Sequence, residues 1–188
     1  MESIGVDFAL MVFEHTGGAE HAYGDAIGEA SGEPWALEVA FVEHHRRADL
    51  FAHSLEAAGV GVGERLLAMT VGYVKVREQF GRPLGSFQSV KHKVADMLTT
   101  LKGARAATYY AAMALDAGVA EAAMASSAAK AFTADGVATL AGEALQTHGG
   151  IGFTWEHDLH LYLRRAKVNE MLYGSAAEHH ERLVSLIE

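Results

Sequence analysis

The chain has 188 residues, half of them hydrophobic and only 21% charged, which suits one large domain or two small ones and excludes a disordered chain. Its net charge of −9 excludes a phosphate-tracking nucleic-acid surface, and the absence of cysteine excludes disulfides, thiolate nucleophiles and cysteine-ligated metals. Thirty-four alanines against two prolines favour helix, and no apolar run approaches the roughly 20 residues of a membrane span. The N-terminus, Met1-Glu-Ser-Ile-Gly5, lacks the basic start and apolar stretch of a signal peptide, so a soluble, cytoplasmic, mostly helical protein is expected.

Residues 1–33 are rich in glycine and read as an N-terminal segment with no assigned structure. Phe8-Ala-Leu-Met-Val-Phe13 fits either a strand or a helix turn, and 16–32 reads as loop. From Pro34, which suits the first turn of a helix, the pattern becomes regular. Leu37, Phe41, Phe51, Leu55, Ala58, Val62, Leu66, Met69 and Tyr73 recur at the spacing of a buried helical stripe. Gly59, Gly61 and Gly63 interrupt it and mark either a kink or a close approach of helices. This helix should end before Gly81-Arg82-Pro83. A second helix is predicted from Phe87 to Gly118, with Val90, Val94, Met97, Leu98 and Leu101 as its stripe. A third is predicted over 119–147, with Met124, Ala128, Phe132, Val137, Leu140 and Leu145 inward. Two shorter ones follow over 156–172 and 175–187. Long helices joined by short loops predict an all-α, up-and-down four-helix bundle over 34–188.

Two corners of this bundle carry chemistry. Arg77-Glu-Gln-Phe80-Gly-Arg-Pro-Leu-Gly85 lies where the first long helix gives way to a loop. An arginine there suits a phosphate, and Phe80 suits a planar ring. The same residues also read as a plain helix C-terminus, with a cation on the dipole and Phe80 in the core. Gln146-Thr147-His148-Gly149-Gly150-Ile151-Gly152 is a second glycine-rich corner that offers amides to a ligand, or simply caps a helix. It is not a dinucleotide fingerprint, because it follows a helix and its glycine spacing is wrong.

The 11 histidines do not make a metal site. His44-His45 and His179-His180 are adjacent pairs that split between helix directions. His157 and His160 sit at i, i+3 near Glu156, but neither a His-Glu-x-x-His pattern nor a paired Glu-x-x-His motif occurs. No Gly-x-Ser-x-Gly elbow points to a hydrolase.

Taken together, the two corners resemble the C-terminal helical domain of the acyl-CoA dehydrogenases. The matching stretches are Tyr73-Val-Lys-Val-Arg-Glu-Gln-Phe-Gly-Arg-Pro-Leu-Gly-Ser-Phe-Gln88, His92-Lys-Val-Ala-Asp-Met97, Gln146-Thr-His-Gly-Gly-Ile-Gly-Phe153 and Leu163-Arg-Arg-Ala166. The resemblance covers about residues 34–188 and implies FAD at a subunit interface. There the flavin's adenine and diphosphate end is clasped by the neighbour's C-terminal bundle. Carried onto this chain, the clasp consists of Arg77, Gln79, Phe80, Gln88, Gln146, Gly149 and Gly150, with Thr147 and His148 in the same corner. The implied reaction is α,β-desaturation of an acyl-CoA thioester, in which a glutamate removes the α-proton and a hydride goes to the flavin.

The chain departs from the family at the base. One family position, 27 residues after the glutamine of the second corner, is Tyr173 here, within Met171-Leu-Tyr-Gly-Ser175. The alternative position, 26 residues before the motif arginine, is Phe51, followed by Ala52 where arginine is usual. Glu64 stands 13 residues too late to replace it. A phenol, with an ordinary pKa of about 10, is a poor substitute for a carboxylate. Ser175 can stand for the threonine beside the flavin, whereas Ala176 and Ala177 remove polar groups from that loop. The resemblance therefore implies a chain without catalytic residues that completes FAD sites in a homo- or hetero-oligomer with another acyl-CoA dehydrogenase subunit. The mixed tetramers that some actinobacteria use on steroid side chains are the precedent. A structural bundle that binds no flavin, and a fragment of a longer enzyme, are the alternatives.

Overall fold

The computed structural model describes the backbone of residues 34–187 and the side chains of Ala52 and residues 55–187. The readings of 1–33, of Leu37 and Phe41, and of His44-His45 lie outside the described residues or side chains. Among the described residues five helices follow in order: α1 (Pro34–Val76), α2 (Gln88–Ala117), α3 (Ala122–His148), α4 (Leu159–Met171) and α5 (Ala176–Ile187). Between α1 and α2 the chain makes a two-stranded hairpin, β1 (Glu78–Gln79) with β2 (Arg82–Pro83), and one 3-10 turn. The fold is the all-α up-and-down bundle, with α3 central and in contact with α1, α2, α4 and α5. Among the described residues, no helix is long and apolar enough to cross a membrane.

The main core lies where α1, α2, α3 and α4 meet, around Leu66, Met97, Leu101, Val137, Leu140 and Leu159. A second, smaller core of alanines, Ala111, Ala114, Ala125 and Ala129, joins α2 to α3 near their connecting turn. Small residues let these helices approach closely. A Cβ at Gly103 would stand 2.9 Å from the Phe132 ring, and one at Gly136 would stand 2.8 Å from Thr100 Cγ2. Gly59 and Gly63 prove to be close approaches as well. Their added carbons would meet Thr133 Cγ2 at 3.2 Å and Leu101 Cδ1 at 2.9 Å, whereas Gly61 faces open space.

Four expectations are corrected. The third helix starts at Ala122 rather than 119, because Gly118 (φ 62) closes α2 with a Schellman motif. In it Gly118 N–H bonds Leu115 O and Val119 N–H bonds Ala114 O, so the chain must reverse before α3 begins. Met124, Ala128 and Phe132 face outward, with Phe132 49% exposed. Alanines cover several sides of α3, so apolar spacing alone did not mark its buried face. Leu98 is likewise exposed, and α4 begins at Leu159, which leaves His157 before the helix rather than on one face with His160.

Candidate functional site

The first corner begins where α1 closes. Arg77 N–H bonds Tyr73 O at 2.9 Å, and Leu84 N–H bonds Arg77 O at 2.8 Å, so the chain turns back on itself. Gln79 pairs with Arg82 across the hairpin, leaving Phe80 (φ 53) and Gly81 (φ 75) as a two-residue loop with both residues left-handed. That is the backbone of a type I′ turn, natural for Gly81 and costly by about 1–2 kcal/mol for Phe80. The expectation of a core Phe80 does not hold, since its ring is 92% exposed at the hairpin tip. Phe87 supports it edge-on, with ring centroids 6.2 Å apart, and in turn carries the Arg82 guanidinium at 4.0 Å. An exposed aromatic held in a strained turn is a feature that functional sites retain.

The second corner begins at the end of α3. Thr147 Oγ1 donates to Glu143 O at 2.7 Å, and the Glu143 carboxylate pairs with Lys93 of α2. Gly149 takes φ 61 and ψ −139, a region closed to residues with a side chain, and a 3-10 turn then runs over Gly149–Phe153. Gly152 is needed for a different reason, because a Cβ there would stand 3.1 Å from His148 Cβ.

These corners face one another. Arg77, Gln79, Thr147, His148, Gly149 and Gly150 line one cavity of about 410 Å³. Phe80, Gln88 and Gln146 do not line it. Phe80 stands exposed at the hairpin tip. Gln88 is an exposed side chain at the first residue of α2, with Nε2 3.4 Å from His92 Nε2, and Gln146 is exposed on α3. Among the described residues, Arg77 has no ion-pair partner. Carbons added to Gly149 or Gly150 would meet no atom within 4 Å, so both glycines leave the backbone open to whatever occupies the cavity. A free guanidinium, bare backbone and polar side chains are together the donor set for a phosphate-bearing ligand.

His148 lines the cavity but is itself buried. It is 3% exposed. Its Nδ1–H donates to Ala144 O at 2.7 Å, and its ring stacks on Tyr73 with centroids 4.6 Å apart. His157 meets it edge-on at 4.9 Å, and its Nε2 has no partner. Burial pulls its pKa below the ordinary 6.5, against the raising effect of the Ala144 bond and with a smaller lowering from His157. Sequence reasoning passed over Tyr73, Leu84 and Ile151 as cavity residues. Tyr73 had the signal of sitting one turn before Arg77, but apolar spacing assigned it to the core.

Tyr173 stands away from this cavity, in the loop between α4 and α5. It has φ 58 and is half-exposed, and Gly174 follows at φ 101. His179 Nε2–H donates to Tyr173 O at 2.8 Å. Ser175 and Glu178 form a capping box at the start of α5, with Ser175 N–H donating to Glu178 Oε2 at 2.7 Å and Glu178 N–H donating back to Ser175 Oγ at 3.4 Å. Phe51 lies on α1.

Comparison with known proteins places these features. The family profile described as "Acyl-CoA dehydrogenase, C-terminal domain" matches residues 47–185. Acyl-CoA dehydrogenase IpdE2 of Mycobacterium tuberculosis is 43% identical over 138 residues, covering 73% of this chain and 42% of that protein. A chain of the ChsE4-ChsE5 complex from Mycobacterium tuberculosis superposes with a TM-score of 0.71 at 33% identity, over 74% of this chain and 38% of its own length. PigA, solved with FAD and proline, gives 0.71 at 28% identity over 74% and 36%. This chain thus spans about two fifths of the length of the proteins it resembles. With its helical bundle, its two glycine-rich corners and this match, the chain belongs to the acyl-CoA dehydrogenase family, to which it corresponds as a C-terminal domain.

Proposed function

We propose that this chain completes the FAD site of another acyl-CoA dehydrogenase subunit and does not itself carry the base for α,β-desaturation. The observation that supports the reading most is the convergence of six motif residues on one cavity, with an unpaired Arg77 among them. The site fits the cofactor. Arg77 suits the diphosphate, Gly149 and Gly150 leave their amide backbone open to close approach, and Phe80 is presented for stacking. Bound FAD supplies the hydride acceptor of the reaction. The roles left to this chain are binding and orientation: charge neutralisation by Arg77, amide contacts from the glycine corner, and aromatic packing at the hairpin tip.

Proton removal is assigned to the partner. The position where the family carries its carboxylate is a tyrosine here, and the loop around it is still built, with a capping box on its far side. The ChsE4-ChsE5 complex, named for two proteins, is a precedent for a mixed assembly. The substrate of such an assembly is an acyl-CoA thioester.

Turnover tests the division of labour. Purified chain supplied with FAD and an acyl-CoA should desaturate nothing, while the mixed complex should turn over and lose activity when the partner's glutamate is replaced. Desaturation by this chain alone would overturn the proposal.

A further inference from the structure

We infer that Tyr73, His148 and His157 form a three-ring clamp that positions the cavity corner and holds only while the buried His148 imidazole is uncharged. This deepens the reading above, since the clamp stands behind the same cavity, but its test uses no flavin and therefore fails or succeeds separately.

The clamp ties together the three segments that meet at the corner. Tyr73 comes from the last turns of α1, His148 from the end of α3, and His157 from the segment leading into α4. The Tyr73 and His148 rings are stacked, 4.6 Å apart with 22° between planes, and His157 closes on His148 at 4.9 Å and 60°. Each imidazole is fixed by a bond from its Nδ1, and the two bonds run in opposite senses. His148 Nδ1–H donates to Ala144 O, which leaves Nε2 as a bare, buried acceptor. His157 Nδ1 accepts from Leu159 N–H at 3.2 Å and so caps the first turn of α4.

A proton on His148 breaks this arrangement for a stated reason. It would charge a ring that is 3% exposed and place an N–H where no acceptor stands. The titratable groups in ring contact with His148 are the Tyr73 phenol and the His157 imidazole, and Arg77 lines the same cavity. Burial also pulls the His148 pKa down, in the same sense. The cavity wall answers to the clamp directly. Gly149 and Gly150 follow His148 in sequence, and Gly152 lies against its Cβ with no room for a side chain of its own.

The test is NMR of the 188-residue chain, following the histidine rings and the amides of 149–153 as pH is lowered. The expected result is one shared transition, in which His148 takes up its proton and the corner amides lose hydrogen-exchange protection by about tenfold or more, the change that one pKa unit represents. His148→Phe keeps the stack and removes the titrating group, so its corner amides should stay protected through the same range. His157→Asn keeps an acceptor for Leu159 N–H and takes away the lowering that His157 exerts on His148, so it should shift the transition to higher pH, which guards against the first variant failing to fold. Corner amides that do not respond while His148 titrates, or that respond equally in both variants, would overturn the inference.

Discussion

Replacing Lys130 with methionine probes how the bundle holds the end of α4. Lys130 is 1% exposed, and its Nζ donates to Asn169 O at 2.8 Å and to Glu170 O at 3.4 Å, both carbonyls in the last turn of α4. Glu56 of α1, equally buried, lines the same cavity of about 10 Å³ and favours the lysine charge, while burial works against it and pulls the Lys130 pKa below the ordinary 10.5. Lys130→Met keeps the aliphatic stem but strips both bonds from the end of α4. Losing a charge-assisted hydrogen bond costs about 1.5–3 kcal/mol. At a urea slope of about 2 kcal/mol per molar, the unfolding midpoint should fall by roughly 1 M. The pH dependence has a definite sign. The unfolded chain holds the lysine proton more tightly than the folded one, so stability rises with pH in the window just below 10.5. Urea melts followed by far-ultraviolet circular dichroism read both quantities. A variant within about 0.5 kcal/mol of the parent would refute this reasoning.

Three further outcomes follow from the site and its loops. Phe80→Gly should stabilise the chain by about 1 kcal/mol in chemical melts, because it relieves a left-handed residue whose ring is exposed, yet it should weaken flavin retention in the complex; a destabilised variant would contradict the strain. Ser175→Ala should cost about 1 kcal/mol in the same melts by removing one half of the capping box, and Ser175→Asp should recover most of it. His148 has its pKa lowered in the folded chain, so the unfolded chain takes up its proton first; the associated stability is complete above about 6.5 and falls as pH drops below it, a slope that His148→Phe should flatten in thermal melts across that range.

Much of the fold was legible because its punctuation is local. Gly81-Arg82-Pro83, Gly118 and Gly149-Gly150 each break a long periodic run, and the long helices end within a few residues of them. The start of α4 was less legible, because His157 caps it through a side-chain nitrogen that the residue pattern does not reveal. The outward face of α3 was hidden for a different reason: alanine is apolar enough to suit any face, so Met124, Ala128 and Phe132 matched the period of a buried stripe as well as the true one did. At the site, six of the nine expected residues line one cavity and Phe80, Gln88 and Gln146 do not, while the exposure of Phe80 and the burial of His148 were not readable. The first depends on a positive φ at a non-glycine residue, and the second on rings supplied by α1 and by the segment before α4.

The most direct measurement is flavin absorbance on the purified chain, alone and co-purified with a full-length acyl-CoA dehydrogenase subunit, with Arg77→Ala prepared in parallel. A clasp that serves a neighbour predicts flavin in the mixed complex and none on the chain alone. It also predicts retention weakened by about tenfold or more when Arg77 is lost, as expected for a charge-assisted bond of about 1.5–3 kcal/mol. No flavin in either preparation, or undiminished retention in Arg77→Ala, would contradict that role.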